Sequence, residues 1–339
     1  MDALIELGLF CGKVAIVVLA LSLILILFFG LLVKARGSKT LLDVENLNRK
    51  YERLSRALKS RVLSGKALKL EQKADKKKAK AEAKDRGDKK RVFVLDFAGD
   101  MRATHVENLR EEITAILTMG RAGTDEVVVK VDSPGGMAHA YGLGATQLMR
   151  VRDSGLQLTV CVDKIAASGG YMMACTAHRI LAAPFAIIGS IGVVAQVPNF
   201  HRLLKKNDVD FEEVTAGEFK RTVSLFGEIT EKGRQKFQEQ CEDIHLLFKA
   251  FVKENRPQLE LEKVATGEYW FGLRAQQLGL VDELISSDDY LFKQRDTAHL
   301  YRLELSGRKK WSEKLAESVS EAGARIVDRS WTKLLGPYT

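Results

Sequence analysis

The pattern of apolar and polar positions divides the chain into four stretches. Val14 to Val33 (VAIVVLALSLILILFFGLLV) carries no charge. About 20 such residues make a helix long enough to cross a hydrocarbon core of roughly 30 Å. A removable signal peptide would show a basic start, a shorter apolar region and a small-residue cleavage site. Here Asp2 and Glu6 lie upstream, and Phe28, Phe29, Leu31 and Leu32 close the run. The expectation is a retained membrane anchor within residues 1–36. Between 37 and 90 the period becomes helical, with Leu47, Tyr51, Leu54 and Leu58 three or four positions apart. The run KADKKKAKAEAKDRGDKK (73–90) then drops large apolar residues altogether. This predicts an amphipathic helix followed by a solvated basic spacer.

From Arg91 short β-branched runs alternate with helical stretches. RVFVLDF (91–97), VVVKV (127–131) and LQLTVCV (156–162) predict strands, and 104–119 and 137–151 predict helices. Strands recurring about every 30 residues suit right-handed βαβ crossovers. Near-continuous apolar strands imply a sheet covered on both faces. The expected fold class is α/β, with the body at 91–300 and reactive groups where strands end and helices begin. Residues 301–339, with Trp311, Leu315, Ala322, Ile326 and Trp331, read as an amphipathic tail.

Composition and charge narrow the function. With 339 residues, 46% of them hydrophobic, the chain can bury a large core. The net charge of +9 arises within 34–90, and 91–339 is near neutral. The body therefore offers no basic face for a nucleic-acid partner. It also has no P-loop, zinc-ligand pair or dinucleotide fingerprint, so neither metal nor cofactor is expected. Lys34, Arg36 and Lys39 follow the apolar run and only Lys13 precedes it. By the positive-inside rule this directs the body toward the cytoplasm. The four cysteines, Cys11, Cys161, Cys175 and Cys241, have no paired short spacing and read as small buried hydrophobes.

Two strand ends carry the candidate chemistry. One is VDSPGG (131–136) and the other DKIAASGGYMMAC (163–175). In each, a glycine pair permits close backbone approach and leaves amide N–H groups unshielded. Two such loops at neighbouring strand ends can aim their donors at one spot, as an oxyanion hole requires. The plain alternatives are an ordinary turn for Ser133-Pro134-Gly135-Gly136 and a helix N-cap for Ser168.

A nucleophilic Ser168 needs a proton acceptor. Of the six histidines, His178 lies ten residues on, about 15 Å along a helix. His245 shares a helical register with Phe237, Cys241, Ile244 and Phe248, which suits packing. His139 and His201 sit near loops and stay open, and His105 and His299 have no distinctive context. A neutral lysine can activate a serine without a third residue, provided its pKa falls about three units from roughly 10.4. Lys220, in AGEFKRTVS after an expected strand over Phe211 to Thr215, is one candidate. Lys164 precedes the turn and is expected to face solvent.

The ordered motifs VDSPGG (131–136), DKIAASGGYMMAC (163–175), IIGSIGVV (187–194), GEFKRTVS (217–224) and GEYWFGLRAQQLGLVDEL (267–284) resemble the signal peptide peptidase A family of membrane-anchored serine proteases. Within it the likeness is to the branch with one anchor and a single copy of the protease unit. The resemblance implies a Clp protease/crotonase-like spiral of ββα units. It implies Ser168 as nucleophile, Lys220 as general base, and Gly135, Gly136 and Gly169 as the oxyanion-hole residues. Arg221 stands where many members carry an acidic residue. It further implies homo-oligomers in which serine and lysine can come from one chain or from neighbouring protomers, and peptide substrates near the membrane, signal-peptide remnants and misfolded or unfolded segments among them. Membrane lipid would be met through residues 14–33 of a bacterial inner-membrane protein. Members are often placed with the catalytic body outside the cytoplasm, against the charge rule. Two other readings remain at this point: a crotonase-like enzyme acting on an acyl thioester, and a non-catalytic membrane scaffold.

Overall fold

Parallel strands of valine, isoleucine and leucine need both faces covered, and that requirement organises the fold. The computed structural model describes residues 41–84 and 89–306. The expected anchor at 14–33 and the tail from 307 onward lie outside the described residues. Among the described residues no helix is long and apolar enough to cross a membrane. Val44–Glu304 forms one compact unit.

The elements run β1 (Leu41–Asn46), α1 (Leu47–Val62), α2 (Gly65–Lys84), β2 (Lys90–Ala98), α3 (Val106–Leu117), β3 (Glu126–Asp132) and α4 (Ala138–Asp153). Then come β4 (Gln157–Val162), β5 (Ile165–Ala167), α5 (Gly169–Ala174), β6 (Arg179–Ala182), β7 (Ile187–Gly189) and α6 (His201–Lys206). The chain continues through α7 (Glu231–Asn255), α8 (Leu261–Val264), β8 (Tyr269–Phe271), α9 (Gly272–Gln277), β9 (Glu283–Leu284), α10 (Ser287–Gln294) and β10 (Ala298–Ser306).

Seven strands form the main sheet in the order β1-β10-β2-β3-β4-β6-β9. From β10 through β9 every pairing is parallel, with Val94 opposite Val128 and Val129 opposite Val160. Alternation along β2 sends Phe93, Leu95 and Phe97 to one face, with Leu109, Ile113 and Leu148 of α3 and α4. Val92 and Val94 go to the other, with Leu47, Leu291 and Leu300. The three strands and two helices expected from periodicity are all present, within a few residues of their expected ends.

A second, three-stranded sheet, β5-β7-β8, was not foreseen. β5 and β7 pair in parallel, and β8 runs antiparallel to β7. The chain leaving β4 therefore does not enter the Ser168 turn directly. It turns, forms β5, and only then reaches Ser168. Strand, short strand and helix in succession give the ββα unit that the family resemblance implies.

Three other departures have local causes. Residues 73–84, expected as spacer, continue α2, because the alanine, lysine and glutamate that fill them are good helix formers. Leu54, Leu58 and Val62 of α1 are exposed, although Leu47 is buried and Tyr51 packs edge-on against Phe292 at 5.6 Å. Only the first half of that apolar stripe meets the body. The strand expected over Phe211 to Thr215 does not form. Every residue from 209 to 221 is exposed, so no neighbouring strand supplies ladder partners.

At the start of β3 the buried Asp125 accepts hydrogen bonds from the Arg91 and Arg121 backbone N–H groups, at 3.0 and 2.9 Å, and from both guanidinium groups. Burial alone would raise its pKa, but these bonds outweigh burial and hold it well below the usual carboxylate range. A depressed folded-state value contributes stability above the unfolded pKa of about 4 that is lost as pH falls. Asp125→Ala leaves two arginines without their partner, and is expected to cost about 3 kcal/mol near neutrality. Denaturant unfolding of both proteins should show the gap narrowing below about pH 4. A gap independent of pH would contradict this account of the cluster.

Candidate active site

Ser168 sits where β5 becomes α5, and both elements hold its backbone. Its N–H donates to the Gly189 carbonyl at 2.8 Å, continuing the β5–β7 ladder, and its carbonyl accepts from Met172 N–H at 2.9 Å in the first helical turn. Strand and helix meet at one residue, which takes φ 51° and ψ −119°. That region favours glycine, and a serine held there stores on the order of 1–3 kcal/mol of strain. The side chain makes no capping hydrogen bond, so the N-cap alternative is not realised. Ser168 is half-buried between neighbours that are buried.

The two glycine loops converge on it. Ser133, at the end of β3, donates its N–H to Ile165 O at 2.8 Å and accepts at its carbonyl from Ala167 N–H at 3.0 Å. The SPGG turn is thereby stitched along β5. Gly135, at φ 89°, is so close to the serine that a Cβ there would lie 2.7 Å from both Ser168 Cβ and Gly169 N. A Cβ on Gly136 would strike the Met101 carbonyl at 2.3 Å, and one on Gly169 the Tyr141 ring at 2.4 Å. All three glycines are therefore required by close approach, and Gly135 by its backbone angle as well.

The amides divide into two groups. Gly135 N–H donates to Ser133 Oγ at 3.1 Å. The Gly136 and Gly169 N–H groups have no protein acceptor among the described residues. Gly135 thus contributes closeness, while Gly136 and Gly169 supply free donors.

Lys220 is placed differently. It is exposed in a turn closed by its own N–H to Gly217 O at 3.1 Å, and no hydrogen bond joins it to Ser168 within the chain. Its neighbour Arg221 faces Glu213 at 3.7 Å. The segment around them exposes Val194, Val209, Phe211, Val214 and Phe219.

Most of the remaining candidates have structural occupations. His178 lies beyond the end of α5 and accepts Leu158 N–H through Nδ1 at 3.0 Å. His245 and His201 contact the carbonyls of Ile191 and Phe226 at 3.2 and 3.3 Å, and His139 is exposed on α4. Lys164 faces solvent as expected and pairs with Asp132 at 3.0 Å. Burial pushes the Cys175 thiol up to about 12, which leaves it inert as a nucleophile. Sequence reasoning missed Tyr141 and Gly99, which pack against these loops. The glycine ending β2 was the one available signal.

Two family models cover the body and what precedes it: the N-terminal region of peptidase family S49 matches residues 2–148, and the peptidase family S49 domain matches 150–300. A probable protease SohB of Haemophilus influenzae is 44% identical over 332 residues, covering 93% of this chain and 94% of that protein. A probable protease SohB of Buchnera aphidicola is 52% identical over 235 residues, covering 69% and 70%. Protease 4 of Haemophilus influenzae is 32% identical over 169 residues, covering 49% of this chain and 27% of that protein.

If the Ser168 backbone is strained by its side chain, removing the Cβ should relieve it. Ser168→Gly is expected to unfold at a higher temperature than Ser168→Ala, by an amount equivalent to about 1 kcal/mol. Calorimetry on the two variants checks this, and equal midpoints would remove strain from the description.

Proposed function

The chain belongs to peptidase family S49, and on that premise we propose that it is a membrane-anchored serine endopeptidase working through a Ser168–Lys220 dyad. The observation that carries the reading is the convergence of the SPGG turn on an uncapped, strained and half-buried serine, with the unengaged amides of Gly136 and Gly169 on the two loops that meet there. An acyl-thioester enzyme could use those amides but would have no use for such a serine.

In the reaction, Lys220 takes the Ser168 proton as Oγ attacks the scissile carbonyl, and the Gly136 and Gly169 N–H groups hold the developing alkoxide. Collapse breaks the C–N bond, and the lysine's proton goes to the leaving amine. Water, deprotonated by the same lysine, then hydrolyses the acyl-serine.

The base comes from a neighbouring protomer. This is supported by the exposure of Lys220 within a segment carrying exposed Phe211, Val214 and Phe219, a surface suited to a second copy of the chain. Residues 14–33 anchor the protein in a bacterial inner membrane, and the basic stretch after them directs the body to the cytoplasmic side. The substrates are peptides released at or near the bilayer.

Ser168→Ala and Lys220→Ala should each lower kcat by about a thousandfold or more, and a fluorophosphonate should label Ser168 in the wild type alone. Co-assembling the two inactive variants should restore activity, because some interfaces regain an intact pair. Labelling that survives Ser168→Ala would defeat the protease reading, and failure of the mixed assembly would return the base to the serine's own chain. A C-terminal reporter active on one side of the membrane checks the sidedness: a signal from the periplasmic side would reverse the proposed orientation.

A further inference from the structure

A buried chain of hydrogen bonds lies beneath the SPGG turn, and proton counting fixes its direction. Gly135 N–H donates to Ser133 Oγ at 3.1 Å. Ser133 Oγ lies 2.6 Å from Tyr141 OH, and Tyr141 OH lies 2.8 Å from the Asp100 carbonyl. A carbonyl can only accept, so the single phenolic proton goes to Asp100. The Ser133 proton must then go to the Tyr141 oxygen, and the Ser133 lone pair is left for Gly135. Every group is used once. Burial raises the Tyr141 pKa above its ordinary value despite the opposing hydrogen bond from Ser133, so the phenol keeps the proton on which the chain depends.

The same residue supports the other loop. The Tyr141 ring occupies the space that a Cβ on Gly169 would need, with Cγ 2.4 Å from that position. Phe97 meets the ring edge-on at 6.3 Å. Gly99 makes room for the hydroxyls, since a Cβ there would lie 2.2 Å from Ser133 Oγ and 2.5 Å from Tyr141 OH. Tyr141 is wholly buried, touches both glycine loops and takes no part in the bond-making steps above.

We infer that Tyr141 is a positioning residue for the oxyanion site: through Ser133 it turns the Gly135 N–H inward so that Gly136 presents its own, and through its ring it seats Gly169. This rests on the serine-protease reading. An oxyanion site gains from donors held before the charge develops, so loosening this chain should slow the chemical step and leave substrate affinity nearly unchanged.

The test uses the full-length chain in detergent with a fluorogenic peptide amide, a fluorophosphonate, and hydrogen exchange read on the peptide containing Gly135. Tyr141→Phe keeps the ring and removes the hydroxyl. Its kcat and its rate of Ser168 labelling should fall together by about 10- to 100-fold, with KM within about twofold. Exchange at the SPGG turn should quicken. Ser133→Ala should behave alike, and the double variant should be no worse than the poorer single, because both break one chain. Wild-type kcat in a folded Tyr141→Phe protein would overturn the inference, as would a loss confined to KM or losses that multiply. Should Tyr141→Phe not fold, Ser133→Ala carries the same comparisons. If the wild type neither cleaves nor labels, the protease reading has failed; hydrogen exchange unchanged by either substitution would separately overturn the hydrogen-bond chain.

Discussion

The double hydrogen bond between Ser133 and β5 is the constraint from which the site follows. By donating to Ile165 and accepting from Ala167, Ser133 acts as one rung of a parallel ladder between the end of β3 and the short strand before the serine. The register of that rung carries Gly135 onto Ser168. No other residue type can occupy the position, because a side-chain carbon there would collide with the serine's own Cβ. The glycines thus record where two backbones touch.

The scaffold that holds this contact is conventional in its energetics. β2, β3 and β4 bury valine and leucine on both faces, each fully buried side chain contributing on the order of 2 kcal/mol. Against that background the strain of one serine at φ 51° is small, and the strand and helix on either side leave it no way to relax. Rigidity and reactivity share a cause, since the bonds that fix the backbone leave the hydroxyl uncapped and the neighbouring amides unspent.

The lysine belongs to a different physical regime. Ser168 is set by short-range backbone geometry in a buried setting, whereas Lys220 sits on a wholly exposed stretch with aromatic and aliphatic side chains turned to solvent. A single chain therefore holds half of the proposed chemistry rigidly and offers the other half at its surface. Coupling catalysis to assembly in this way would keep isolated protomers inactive.

Periodicity alone was enough for the main sheet's central strands, for α3 and α4, and for the glycine pairs at the strand ends, because strand alternation and helical spacing are local properties. The motifs also marked Ser168 as a candidate. β5 was not legible: three residues are too few for a period, and their strand state comes from pairing with β7 and Ser133. The failed strand at 211–215 is the converse case, a β-rich string with no partner beside it. Tyr141 looked like one more core aromatic, and its place under both loops emerged only once residues 41 positions apart were joined through Asp100. What the sequence by itself determined was the α/β alternation, the serine and the need for glycine around it, all matters of local steric and hydrophobic pattern. Which amide turns inward, and that no hydrogen bond joins the lysine to the serine within one chain, only the tertiary structure decided, because both depend on contacts between segments that no local pattern encodes.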